Sequence, residues 1–201
     1  ARMEKPMITL FNATMSRSTR VLWLLEELDA EYALVPVSIR RPDGSAGPDP
    51  ANPHPLGQVP CILDDGELIV ESLAIWIHLA DSFPDPELAP PPDHFKRAEY
   101  VGWLGLATCV FEPLVTATLA GAPLDERQQA ARTFLSDRVA TALDCHGWLL
   151  WDRFSVVDLV YGSLLRFAPA ALGPSPQIEA WLERMSGRPA LARVRQREGR
   201  T

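Results

Sequence analysis

The run Asn52-Pro53-His54-Pro55-Leu56-Gly57-Gln58-Val59-Pro60-Cys61-Ile62-Leu63-Asp64-Asp65-Gly66-Glu67-Leu68-Ile69-Val70-Glu71-Ser72 passes from loop to hairpin to helix. Its first part is dense in Pro, Gly and Asn, which interrupt regular structure. Cys61 to Leu63 and Leu68 to Val70 are short apolar runs flanking Asp64-Asp65-Gly66, and Asp-Gly supplies the positive φ values of a tight hairpin turn. Pro60 opens the first of these strands. A cis X-Pro bond there would turn the Val59 N–H and C=O outward instead of into the sheet, where they could pair with a peptide; the alternative is a proline that only starts the strand. Glu71-Ser72 falls where the second strand meets Leu73 to Ala80, a helix apolar on most sides and so packed between the sheet and something else. The first turn of a helix carries unpaired N–H groups and positive potential, worth roughly 0.3 to 1 kcal/mol to a carboxylate placed there. A serine hydroxyl adds a donor, and the Glu71 side chain would accept from an ammonium beside that carboxylate. In structural terms alone Ser72 is an N-cap and Glu71 a favourable first-turn acid, roles compatible with ligand binding.

Upstream, Met7 to Phe11 reads as a buried strand and Arg17 to Leu28 switches to helical spacing, with Val21, Leu22, Leu24, Leu25 and Leu28 on one face and Glu26 and Glu27 toward water. Tyr32 to Ile39 alternates loosely and is rich in valine, as a strand is. Strand, helix and strand at this spacing form a βαβ unit with parallel strands and a right-handed crossover. Arg40 to Leu56 is expected to be an irregular loop. Downstream, Phe83-Pro-Asp-Pro-Glu-Leu-Ala-Pro-Pro-Pro-Asp93 reads as an extended, semi-rigid linker. Beyond it only helices are expected: Phe95 to about Ala120, Asp125 to about Trp148, Val156 to Phe167, Pro176 to Met185, and a short one near Ala190 to Arg197. Gly102 and Gly105 weaken the first, and Pro113 should kink it or end its hydrogen-bond ladder. The expected division is an α/β domain over residues 1–84, a linker over 85–93 and an all-α domain over 94–201.

The chain has 201 residues, 47% hydrophobic and 22% charged, an ordinary globular balance. Its net charge of −7 repels phosphate backbones and anionic membranes, so neither nucleic acid nor membrane is an expected partner. Cys61, Cys109 and Cys145 are odd in number and far apart, without metal-ligand spacing, which argues for a reducing compartment and against structural zinc. With no 18-residue apolar run and no signal-like start, a cytoplasmic protein without a bound metal is expected.

The motif Asn52 to Pro60, followed by Leu63-Asp64-Asp65-Gly66 and by Glu71-Ser72 with Ala74-Ile75, resembles the glutathione S-transferase superfamily, as does Ser18 to Leu28 at the first helix. The pieces stand in the family's order, and the linker and helical half extend the likeness over nearly the whole chain. The resemblance implies a thioredoxin-like amino-terminal domain, a helical carboxy-terminal domain and a homodimer that binds glutathione as co-substrate. It implies that Pro60 is cis, that the Val59 main chain binds the cysteinyl part of glutathione, and that Glu71 and Ser72 hold the α-amino and α-carboxylate of its γ-glutamyl end. Gln58, beside this stretch, is a further binding candidate, and Arg40, Arg41 and His54 are candidates for the glycine carboxylate.

A free thiol with a pKa of about 8.5 is only a few per cent ionised at neutral pH, and each unit of depression needs about 1.4 kcal/mol in favour of the anion. Charge-assisted hydrogen bonds at a helix start supply this, so the donor should lie in Asn12 to Arg20. That window holds no tyrosine, which excludes the tyrosine-using classes, and leaves Ser16, Ser18 or a backbone N–H. Aligning Arg20 with the family's helix start puts Ser16 at the serine of the theta-like classes. Ser18 then follows the position of the beta-like cysteine, which here is Arg17. Helix capping accounts for at least one of the serines, and Arg17 either supports a thiolate or is solvated. Trp103, Leu106, Phe111 and Leu114 would line an apolar acceptor pocket, or form core. Ser155-x-x-Asp158 is a capping box ahead of an apolar run, a structural element. The expected activity is addition of the glutathione thiolate to apolar electrophiles. A glutathione-dependent isomerase, dehalogenase or peroxidase and a non-catalytic interaction module on the same fold are the alternatives.

Overall fold

A computed structural model describes residues 8–41 and 43–200. Met7, included above in the first strand, lies outside the described residues. In chain order the elements are β1 (Ile8–Asn12), α1 (Ser18–Glu27), β2 (Tyr32–Pro36), β3 (Cys61–Asp64), β4 (Glu67–Val70), α2 (Ser72–Ser82), α3 (Arg97–Leu106), a π-helical turn (Ala107–Phe111), α4 (Glu112–Leu119), α5 (Glu126–His146), α6 (Val156–Phe167), a 3-10 turn (Pro169–Ala171), α7 (Pro176–Ser186) and α8 (Pro189–Arg197). They form two compact units: residues up to Phe83 together with those from Pro189 onward, and Pro84 to Arg188.

The first unit is thioredoxin-like, with strand order β2-β1-β3-β4. β1 runs parallel to β2 and antiparallel to β3, which pairs antiparallel with β4. β1 is central, and Ile8, Leu10 and Phe11 are all buried, as befits a strand covered on both faces. Asp64 pairs with Glu67 across a two-residue turn in which Asp65 (φ 48°) and Gly66 (φ 91°) both take positive φ, the tight geometry that Asp-Gly favours. β2 stops at Pro36 rather than Ile39, since proline offers no N–H to extend the ladder; Val37 N–H makes a last bond, to the Asn12 carbonyl (2.9 Å). Phe11 pairs with Cys61, and Cys61 with Val70. This register brings the end of β1, the start of β3 and the end of β4 to one edge of the sheet, where the Val59-Pro60 and Glu71-Ser72 segments attach.

α1 is buried on nearly all sides, and Glu26, read above as facing water, is only 6% exposed. The reason lies far along the chain. α8 brings Arg193 Nε to Glu26 Oε2 (2.5 Å) and Arg197 Nε to Oε1 (3.2 Å), and the Tyr32 hydroxyl also donates to Oε1. Burial alone would raise the Glu26 carboxyl. The bonds from Tyr32 and Arg193 and the two guanidinium charges outweigh it and hold the group below its ordinary range. Glu27 is engaged too, accepting from Trp23 Nε1 at 2.8 Å. Residues from Pro189 therefore belong with the α/β unit, which corrects the expected 94–201 extent of the helical domain.

In the helical unit the π-helical turn immediately precedes Pro113, which stands in the first turn of α4. Proline lacks the N–H for an α-helical bond and clashes with the carbonyl four residues earlier, and widening the preceding turn removes both problems. By length and composition alone Arg97–Leu119 could cross a membrane; its Trp103, Leu104 and Phe111 are buried within this unit. The proline-rich segment is not an extended spacer. Ala89 N–H bonds Asp85 C=O (3.0 Å), Leu88 and Ala89 are buried, and Leu88 C=O accepts from Val156 N–H (3.0 Å).

Ser155 and Asp158 are buried at the start of α6. Asp158 Oδ2 accepts from the Ser155 N–H (3.0 Å) and hydroxyl (2.7 Å), and Oδ1 from Leu149 N–H and Trp181 Nε1 (3.0 Å each). Burial pushes this carboxyl up to about 6 against the pull of its donors.

Candidate active site

The loop from β1 to α1 carries both candidate serines, and the structure separates their roles. Ser18 is fully buried and its Oγ accepts from Ala13 N–H (3.0 Å) and lies 2.7 Å from Asn12 Oδ1. An amide oxygen only accepts, so the Ser18 proton points to Asn12 Oδ1 in preference to the Ala13 C=O, which lies farther off at 3.3 Å. Ser16 Oγ lies 2.8 Å from Ser18 Oγ and accepts from Ser18 N–H (3.1 Å), capping the helix start. With Ser18 donating to Asn12, the bond between the hydroxyls runs from Ser16 to Ser18. The Ser16 proton is the one that can turn outward to a ligand. Arg41 holds this loop from outside, its guanidinium donating to Thr14 C=O at 2.8 Å and Met15 C=O at 3.4 Å.

Ser16 is half-buried and lines a cavity of about 700 Å³ whose walls include Arg17, Arg40, Gly57, Gln58 and Val59. The Val59-Pro60 bond is cis, and the Val59 main chain makes no hydrogen bond among the described residues. Such an idle N–H and C=O at a cavity wall is open to pairing with a ligand. Gly57 turns the chain at φ 60°, and a Cβ there would lie 2.8 Å from the Pro48 Cβ, so glycine is required twice over. Asn52 braces this wall: its Nδ2 donates to Gln58 C=O (2.9 Å), while Oδ1 accepts from His54 N–H (3.1 Å) and faces Cys61 Sγ (3.2 Å). Burial pushes the Cys61 thiol up to about 11, so it stays protonated and serves packing.

Glu71 and Ser72 open α2. Glu71 is exposed with φ 73° and ψ 124°, a conformation costing about 1 to 3 kcal/mol that clusters at functional sites. Ser72 is buried, and neither side chain makes a hydrogen bond among the described residues. The two residues do not line the cavity of Ser16 and Val59, nor do Ser18 and Pro60. The strand register sets Glu71 and Ser72 at the same sheet edge as that wall.

Among the glycine-carboxylate candidates, Arg41 is occupied by the Thr14 and Met15 carbonyls, and His54 is buried with Nδ1 accepting from Leu56 N–H (3.1 Å). Arg40 and Gln58 remain on the cavity wall. In the helical unit Trp103, Phe111 and Leu114 are buried, the core reading of the two, and Trp103 also edges a cavity of about 420 Å³ with Glu99, Phe134 and Arg138. The Trp103 and Phe111 rings lie 5.1 and 5.2 Å from Tyr161, and only Leu106 of the four is half-exposed.

Sequence reasoning missed Asn12 and Asn52, the two buried amides that fix the serine pair and the Val59 wall. Asn12 carries one signal, a carboxamide at the end of an apolar strand where an unpaired amide would be costly, while Asn52 in its proline-rich loop carries none.

A family model described as "Glutathione S-transferase, N-terminal domain" matches residues 6–81. Glutathione S-transferase GstA of Escherichia coli O157:H7 is 30% identical over 182 residues, covering 87% of this chain and 90% of its own. Maleylacetoacetate isomerase of Pseudomonas aeruginosa is 29% identical over 163 residues, 75% of each chain. Among solved structures, a sphingomonad glutathione S-transferase complexed with glutathione superposes with a TM-score of 0.74 at 27% identity, covering 95% of this chain and 98% of that one.

Proposed function

The chain belongs to the glutathione S-transferase family, and from that premise we propose that it binds reduced glutathione, ionises its thiol and adds the thiolate to apolar electrophiles. The observation that carries this reading is the pairing, on one cavity wall, of a redirectable Ser16 hydroxyl with the idle main chain of Val59. An extended cysteinyl residue pairing with the Val59 N–H and C=O would lay its sulfur near Ser16, at the positive start of α1. Ser16 then donates to the thiolate, while Ser18 holds Ser16 in place. Glu71 and Ser72 receive the γ-glutamyl ammonium and carboxylate, and Gln58 flanks the bound peptide. Stabilising the thiolate before the electrophile arrives, and holding it in position, supply the rate enhancement. A homodimer in the cytoplasm completes this proposal.

A second reading, a glutathione-dependent isomerase, draws support from the likeness to the Pseudomonas aeruginosa isomerase. It uses the same thiolate, which adds to an unsaturated acid and is expelled again, so that glutathione is regenerated.

Calorimetry with reduced glutathione tests the shared step: saturable binding in the micromolar to millimolar range is expected, weakened by Glu71→Ala and by Ser72→Ala. An absence of heat and of thermal stabilisation at high glutathione would overturn it in favour of a non-catalytic module. Turnover that consumes glutathione identifies the transferase, and turnover that leaves it unchanged identifies the isomerase.

A further inference from the structure

The turn that follows α8 buries a charge that the proposed chemistry has not used. The Glu198 side chain has 0% exposure, and one of its oxygens, Oε1, accepts from the Thr19 hydroxyl at 2.6 Å and from Asn12 Nδ2 at 3.3 Å. Oε2 accepts from Arg200 Nη1 at 3.2 Å, so the carboxylate is paired as well as hydrogen-bonded. Asn12 ends β1 and Thr19 lies in the first turn of α1. A single oxygen therefore ties together the two ends of the loop that carries Ser16.

The orientation of Asn12 gives this contact chemical meaning. An amide presents oxygen on one side and N–H on the other, and its neighbours decide which way it faces. Glu198 can only accept, so it fixes Nδ2 toward itself and Oδ1 toward Ser18, whose hydroxyl lies 2.7 Å away. Ser18 must then donate inward, which commits its proton and leaves the Ser16 proton as the one available to a ligand. Without Glu198 the amide is free to turn over, Ser18 keeps only the more distant Ala13 C=O at 3.3 Å as acceptor, and the ends of the loop are no longer tied.

We propose that Glu198 is a positioning residue for the thiol site, acting through Asn12 and Thr19 to set the place and donor direction of the Ser16–Ser18 hydroxyl pair. The inference rests on the reading of Ser16 as the thiolate donor. Glu198 touches neither glutathione nor the electrophile in this account, so its loss should move thiol ionisation more than glutathione affinity.

The test is ultraviolet titration of the glutathione thiolate on the full chain, with glutathione affinity by calorimetry and folding by thermal denaturation. Glu198→Ala is expected to raise the bound-thiol pKa by about one unit, a tenfold loss of thiolate preference equal to about 1.4 kcal/mol. Glutathione affinity should change less than threefold. Glu198→Gln, which keeps an oxygen for Asn12 and Thr19, should recover most of the loss, and Asn12→Ala combined with Glu198→Ala should cost little more than either change alone. If Glu198→Ala does not fold, Glu198→Asp, one methylene too short to reach both partners, should show the same rise. A Glu198→Ala or Glu198→Asp protein that is folded and keeps the wild-type thiol pKa, while Ser16→Ala raises it, overturns the inference and leaves the serine assignment standing. A Ser16→Ala protein with an unchanged thiol pKa removes both.

Discussion

The starts of α1 and α6 are built from the same materials to opposite ends. Each has a buried serine and a buried carboxylate or amide partner, and each satisfies backbone N–H groups that the helix leaves orphaned. At α6 the network is closed: Asp158 accepts four donors, all from within the helical unit. At α1 the network ends in Ser16, which faces a cavity of about 700 Å³ and whose proton has somewhere else to go. A closed network reports on stability and an open one on ligand chemistry, although both begin as capping serines in the sequence.

The largest effect should come from the closed end. Asp158→Ala strands four buried donors at about 1 kcal/mol or more each, so chemical denaturation should show a loss of at least ~4 kcal/mol or no folded protein. Asp158→Asn, which turns an amide N–H against donors, should also destabilise measurably. Loss of under about 1 kcal/mol in Asp158→Ala would break the contrast. At the open end the balance reverses. Ser16→Ala should lower stability only by the lost cap on the Ser18 N–H, about 1 kcal/mol, yet raise the bound-thiol pKa and cut turnover by about 10²-fold, the scale for losing one donor to a developing anion. Ser18→Ala should cost stability as well as turnover, because it leaves the Ala13 N–H and the Asn12 Oδ1 without their Ser18 partner. A Ser18→Ala protein that loses only turnover, with Ser16→Ala silent, would reverse the assignment of the two hydroxyls.

A smaller effect is expected for Glu71→Ala, about a tenfold rise in the dissociation constant for glutathione, read by calorimetry, with kcat at saturating glutathione little altered. The smallest tests the far end of α1. The Glu26 carboxyl is held below its ordinary value of 4.5, so its contribution to stability is complete above that pH and is lost as the pH falls through the depressed folded value. Acid denaturation of Glu26→Gln should lack that component, while wild type and variant should differ least at the acid extreme.

Much of this contrast is legible in the sequence. The Asp65-Gly66 turn, the βαβ unit and the Ser155-x-x-Asp158 box are local signals, in which turn chemistry and spacing speak for themselves, and the structure carries all three. What escaped reading depends on residues distant in sequence. Glu26 appears on a polar stripe of α1 and is buried only because Arg193 and Arg197 return to it. Asn12 looks like the polar end of an apolar strand until Glu198 and Ser18 meet it from opposite sides. Phe111 has the apolar character of a pocket wall, but Tyr161 packs against it and makes it core. Pro113 forecast a break in its helix, which takes the form of a π-helical turn just before it.

The most direct test of the central claim is a crystal structure of the protein with reduced glutathione. The sulfur should lie within hydrogen-bonding reach of the Ser16 hydroxyl, with the cysteinyl main chain paired with the N–H and C=O of Val59 and the γ-glutamyl end on Glu71 and Ser72. Glutathione bound with its sulfur away from Ser16 and with the Val59 main chain still unpaired would contradict it.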